Sequence, residues 1–140
     1  MILLDTNVIS EMMRLRPEPA VVSWLDKQPE EDLWTASVVL AELLSGIDLM
    51  PSGRKQKILR QAVEGMIAED FREQVLKFDV PAARSYGQIL SSRKRNGRPI
   101  REMDALIAAT ALVNGATLAT RNTTGFEDCG IQLVDPWQEA

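Results

Sequence analysis

Three acids stand apart from the other charges of this chain. Asp5 ends the apolar run Ile2-Leu3-Leu4, Glu42 is the only charge between Thr35 and Ile47, and Asp104 is the only one from Met103 through Val113. The 140 residues include no His and a single Cys, Cys129, which removes Ser–His–Asp triads, Cys–His pairs and His-ligated zinc. Carboxylate oxygens are hard ligands suited to Mg²⁺ or Mn²⁺, with several waters kept on the ion. Such an ion acidifies a bound water, neutralises charge on a phosphodiester and relieves repulsion among the acids. Converging, the three would therefore support metal-dependent phosphodiester hydrolysis. Each also has a structural reading. Asp5 can cap the following helix. Glu42 can lie on an exposed face, although Val38, Ala41, Ser45 and Leu49 beside it suggest an apolar one where a carboxylate resists ionising. Asp104 can simply gain from a helix dipole, typically ~0.3–1 kcal/mol.

The elements that must position these acids follow from periodicity and breakers. Ile2–Leu4, Leu33–Thr35, Val75–Phe78, Thr117–Thr120 and Ile131–Val134 read as short strands. Helices are expected over Ile9–Arg14, Ala20–Gln28, Val38–Met50 with Ser37 as its cap, Arg54–Glu69, Val80–Arg95 and Ile100–Val113. Short apolar strands alternating with helices imply an α/β fold, a central parallel sheet flanked by helices on both faces, in one domain over 1–140. With 45% hydrophobic residues, a chain of this length can bury about 70% of its unfolded surface. Ligands of such sheets collect beyond the carboxyl ends of the strands. Asp5 and Thr120-Arg121-Asn122 follow strands directly, and Glu42 lies in the helix after one. Asp104 joins them only if the start of its helix packs over the same edge, which periodicity leaves open.

A formal charge of −4 argues against a general nucleic-acid binder. Basic residues nevertheless cluster at Arg93, Lys94, Arg95, Arg98 and Arg101, and again at Arg54, Lys55, Lys57 and Arg60. Most such clusters are solvated helix faces, as a stripe like Ile58, Val63 and Met66 is mostly core. The apolar stretches fall short of the ~18 residues of a membrane span, and Met1–Asp5 lacks the basic start of a signal peptide. The expectation is a cytoplasmic domain without a membrane partner.

Four segments together resemble PIN-domain ribonucleases, specifically the VapC/FitB-like toxins of prokaryotic toxin–antitoxin pairs. They are Met1-Ile-Leu-Leu-Asp5-Thr6-Asn7-Val8-Ile9-Ser10-Glu11, Ser37-Val-Val-Leu-Ala-Glu42-Leu43 with Gly46, Asp104-Ala-Leu-Ile-Ala-Ala-Thr-Ala111, and Leu118-Ala-Thr120-Arg121-Asn122 with Phe126 and Val134-Asp-Pro-Trp137. The resemblance implies a PIN-like fold in which Asp5, Glu42 and Asp104 hold Mg²⁺ or Mn²⁺ and activate water to cut single-stranded RNA. It further implies a homodimer silenced by a small DNA-binding antitoxin whose tail fills the active-site groove. Thr6 and Asn7 would support the acids, and Thr120 would orient ligands or waters. Arg98, Arg101 and Arg121 would grip the RNA. Many PIN domains carry a fourth acid where this chain has Asn122, which would touch the metal only through a water and puts a two-metal mechanism in doubt; Glu127 or Asp128 would have to reach in instead. Two rival readings are a non-catalytic module that binds antitoxin or nucleic acid, and a haloacid-dehalogenase-type phosphatase. The latter wants a second Asp at the position of Asn7.

Overall fold

The computed structural model describes residues 1–139. Five short parallel strands, β1 (Ile2–Leu4), β2 (Leu33–Ala36), β3 (Val75–Leu76), β4 (Thr117–Ala119) and β5 (Leu133–Val134), lie in the order β3-β2-β1-β4-β5. Ile2 pairs with Leu33 on one side and Thr117 on the other, and Leu118 pairs with Leu133. Six helices connect or flank them: α1 (Thr6–Met12), α2 (Pro19–Asp26), α3 (Ser37–Asp48), α4 (Arg54–Gly65), α5 (Val80–Arg95) and α6 (Glu102–Val113).

Successive strand residues point to opposite faces. Leu3 and Leu4 on β1, and Leu118 and Ala119 on β4, are all fully buried, so both faces of the sheet centre are covered, as expected. The chain first winds outward from β1 through β2 to β3, then returns to place β4 and β5 on the other side of β1. The boundary between β1 and β4 is therefore where the winding direction reverses, and the crevice beyond their carboxyl ends is the natural ligand site.

Several boundaries differ from the sequence expectation for identifiable reasons. Helix α1 begins at Thr6 rather than Ile9, because Asp5 stays extended and accepts the Thr6 N–H at 2.8 Å. Ser37 is the first residue of α3, not its cap; its hydroxyl instead accepts the Phe78 N–H at 3.3 Å, and Ala36 occupies the cap position. The long helix expected to Glu69 is α-helical only to Gly65, then widens into a π turn over Met66–Asp70 closed by Phe71 N–H on the Met66 carbonyl. Strands β3 and β5 are shorter than read, and α6 starts at Glu102. Along α6, Ala105, Ala108, Ala109 and Ala111 are fully buried, since small side chains let the helix sit close to α5 and the sheet. Of the stripe on α4, Val63 is core and Met66 half-buried, whereas Ile58 is exposed.

Candidate active site

Asp5 leaves the end of β1, and its N–H extends the ladder to the Ala119 carbonyl of β4 at 3.0 Å. This fixes the acid at the reversal point beside Thr120. The Thr120 hydroxyl donates to Asp5 Oδ2 at 2.7 Å, and Asn7 Nδ2 donates to the same oxygen at 3.4 Å and to Thr120 Oγ1 at 3.2 Å. Asn7 Oδ1 accepts the Arg121 N–H, and Thr120 Oγ1 accepts the Asn122 N–H, so the loops after β1 and β4 are tied together through these side chains. Burial pushes the Asp5 carboxyl up to about 6 against the hydrogen bonds from Thr120 and Thr6, and the charges of Asp104 and Glu42 raise it further.

Glu42 projects from α3 toward the start of α1. The Thr6 hydroxyl donates to its Oε1 at 2.5 Å, and Arg101 Nη2 donates to its Oε2 at 3.2 Å. The apolar surroundings expected for Glu42 are not formed: Val38 is half-buried, but Ala41, Ser45 and Leu49 are exposed, because this face of α3 is left open. Asp104, in the first turn of α6, is buried and lies at the same edge, so the point that periodicity left open is decided by tertiary packing. Burial raises its pKa, Arg101 opposes the rise and Glu42 adds to it.

Asp5, Glu42 and Asp104 thus line one cleft of about 540 Å³ with Thr6, Asn7 and Asn122. Arg101 and Arg121 also line it. The Arg121 guanidinium lies over the Trp137 ring, 5.0 Å from its centroid, a cation–π pair at the cleft wall. Arg98 does not line the cleft; it pairs with Glu127 at 2.7 Å and Asp128 at 2.5 Å. Neither of those two acids lines the cleft, and both are engaged by Arg98. The Asn122 amide oxygen accepts the Gly125 N–H at 3.3 Å, and a Cβ on Gly125 would overlap that amide and push the Asn122 side chain aside.

Glu11 and Arg14 also line the cleft, as do Ser10 and Trp137. Glu11 is buried, accepts the Glu18 N–H at 3.0 Å and pairs with Arg14 at 3.2 Å; the Glu18 hydrogen bond, aided by Arg14, holds its carboxyl below the ordinary range. Their (i, i+3) spacing on α1 was a visible signal, but one shared by many surface pairs.

The donor set fits a hard divalent cation. It consists of oxygens from three acids at one edge, where burial, and to a lesser degree the charges of Asp104 and Glu42, raise the Asp5 pKa and a cation would relieve both. In the present side-chain arrangement, among the described residues, no three acids stand close enough to share one ion.

Residues 2–130 match the family model for the PIN domain. The chain belongs to the PIN-domain family. This PIN domain is 40% identical over 140 residues to the VapC ribonuclease Y4jK of Sinorhizobium fredii, covering all of both chains. It is 41% identical to the toxin FitB of Neisseria gonorrhoeae, over 99% of this chain and 100% of that one. Among solved structures, a chain in FitAB bound to an IR36 DNA fragment superposes with a TM-score of 0.90 at 40% identity, over 99% of this chain and 96% of the other. The PIN-like fold and family expected from the four segments are borne out, and no described helix is long and apolar enough to cross a membrane.

Proposed function

We propose that this chain, as a single nuclease domain over 1–140, is the toxin of a toxin–antitoxin pair: a Mg²⁺- or Mn²⁺-dependent endoribonuclease that cuts single-stranded RNA in the cytoplasm. The observation that carries the reading is the convergence of Asp5, Glu42 and Asp104, from three separate elements, in one cleft at the β1/β4 reversal. These acids would hold the ion, with Asn122 contributing through a water. When bound, a divalent cation supplies an acidified water and neutralises charge on the phosphodiester.

The chain's own residues do the positioning. Thr120 and Asn7 direct one Asp5 oxygen, leaving a defined orientation for the other contacts. Thr6 holds Asp5 through its N–H and Glu42 through its hydroxyl, coupling two acids through one residue. Arg121, stiffened by Trp137, and Arg101 offer planar donors to phosphate oxygens. Arg98 would act on RNA only after leaving Glu127 and Asp128.

The antitoxin, a small DNA-binding protein, would lay its tail into this active-site cleft and the groove that joins it. That groove, about 1140 Å³, is walled by Met13, Leu43, Ile47, Ile58 and Leu59 and meets the acids at Thr6 and Glu42. The active form is proposed to be a homodimer. The phosphatase reading loses support at Asn7, which offers an amide where a general acid is needed and is committed to Asp5, Thr120 and Arg121.

The test uses partner-free protein and a panel of labelled single-stranded RNAs. Cleavage is expected with Mg²⁺ or Mn²⁺, none with EDTA, and Glu42→Gln and Asp104→Asn should each lose more than the roughly 10–100-fold typical of an outer-shell change. Cleavage that persists in EDTA or in both variants would overturn the metal-nuclease reading; folded protein that binds RNA and cuts none would favour the non-catalytic module. The Asn122→Asp variant restores the missing charge, and calorimetric titration with Mn²⁺ should show several-fold tighter binding or a second ion. Unchanged affinity and stoichiometry would show that this position lies outside the ion's reach.

A further inference from the structure

Arg101 stands between two of the three acids. Its Nη2 is 3.2 Å from Glu42 Oε2 and its Nη1 is 3.8 Å from Asp104 Oδ1. The guanidinium side chain is 68% exposed, whereas Glu42 and Asp104 are 26% and 8% exposed, so the positive charge reaches in from solvent on a stem free to withdraw. Arg101 occupies the cap position of α6 in extended backbone and makes no side-chain cap bond, so the start of the helix does not depend on its guanidinium. With this fork in place, Glu42 and Asp104 each have an oxygen near Arg101, and no three acids among the described residues share a common point.

We propose that Arg101 is the resident counter-ion of the Asp5–Glu42–Asp104 cluster and that a divalent cation must displace it to bind. The inference rests on the metal-dependent nuclease reading above. A planar guanidinium can neutralise two carboxylates at once, which lets the metal-free protein hold its acids together. An exposed ion pair is nevertheless weakly held. A doubly charged ion among three carboxylates interacts with each more strongly than a single charge at longer range, so exchange favours the metal. Arg101 therefore lowers the apparent metal affinity by occupying the competing state, as any minor binding-competent population does. It also sets the order of events: Glu42 and Asp104 turn toward Asp5 only when the guanidinium leaves.

The experiment is a calorimetric Mn²⁺ titration of the full-length, partner-free protein without RNA, comparing wild type, Arg101→Gln and Arg101→Lys, with Asp5→Asn to identify the site. Arg101→Gln is expected to bind Mn²⁺ roughly tenfold tighter, because a positive charge facing the ion is gone. Arg101→Lys, which keeps the charge but not the fork, should fall between. In thermal melts without metal, Arg101→Gln should unfold at a lower temperature than wild type and gain more from saturating Mn²⁺. A residue that only helped to orient the acids would weaken Mn²⁺ binding when replaced. Equal or weaker affinity in Arg101→Gln, with Mn²⁺ still bound by wild type, would overturn the proposal alone. Absence of Mn²⁺ binding in all the folded proteins would overturn the metal-nuclease reading and the proposal with it.

Discussion

Replacing Asp5 by asparagine is expected to abolish RNA cleavage and, at neutral pH without metal, to make the protein more stable. The two effects share one cause. Burial at the end of β1 holds the Asp5 carboxyl at about 6, above its ordinary 3.8, and the charges of Asp104 and Glu42 contribute. Between those values the folded protein keeps a proton that the unfolded chain releases, so the native state is favoured at the acid end. Raising the pH through this window removes that advantage, and above about 6 the ionised carboxylate weakens the fold. At 1.36 kcal/mol per pH unit, the gap from 3.8 to about 6 corresponds to roughly 3 kcal/mol. Asp104 is raised by burial too and adds with the same sign.

Asparagine carries no charge and retains an oxygen for the Thr6 N–H, while its amide nitrogen cannot accept the Thr120 hydroxyl, a smaller cost than the buried charge it removes. Denaturant unfolding of the metal-free protein at pH 4.5 and 7.5 should show wild type losing stability as the pH rises, and Asp5→Asn losing much less. Saturating Mn²⁺ should restore wild type at pH 7.5 and leave the variant unaffected. A variant that still cuts RNA would show that Asp5 lacks the role assigned to it, and one less stable than wild type at pH 7.5 would show that it lacks the strain. Natural sites accept such a cost when the charge is needed for function.

The largest purely structural loss is expected from Arg93→Met. Arg93 lies in the last turn of α5 with its side chain buried, and among the described residues it forms no ion pair with an acid. Its Nε–H donates to the Arg98 carbonyl at 2.6 Å, and Nη1 donates to the carbonyls of Gly125 and Glu127 at 3.1 and 2.8 Å, with the Cys129 sulfur at 3.5 Å. One guanidinium thus clasps the turn before α6 to the loop after β4. Methionine fills similar volume but leaves three carbonyls without their donor, at about 1 kcal/mol each or more. We expect a loss of about 3 kcal/mol, with a fall in midpoint and an unchanged denaturant slope. Lysine in its place should recover only part, since an ammonium cannot reproduce the fixed fork. A loss below about 1 kcal/mol would mean that water satisfies these carbonyls as well as Arg93 does.

The five basic residues from Arg93 to Arg101 show where reading the chain ends. In sequence they form one patch; in the fold they divide. Arg93 is interior, Lys94 and Arg95 are exposed, Arg98 pairs with Glu127 and Asp128, and Arg101 reaches the acids. Apart from the nearby Arg98 carbonyl for Arg93 and Asp104 for Arg101, their partners lie about thirty positions away for Arg93 and Arg98, and Glu42 lies still farther from Arg101. No local pattern encodes those distances. The second cluster, at Arg54–Arg60, instead behaves as charge patterning suggests: most of it is exposed on α4, and Arg60 pairs with Asp48 and Glu64.

What the sequence determined by itself is the set of parts. Apolar runs too short for anything but buried strands, helices with apolar spacing between them, and acids isolated in uncharged segments specified an α/β fold and its three carboxylates, because these signals depend on neighbours within a few residues. The tertiary structure decided how the parts meet. The reversal of winding between β1 and β4 placed Asp5 beside Thr120, the packing of α6 brought Asp104 to that edge, and an open face on α3 left Glu42 within reach of Arg101. Charges and hydroxyls act through space at a few ångströms, and only the folded chain sets which of them come that close.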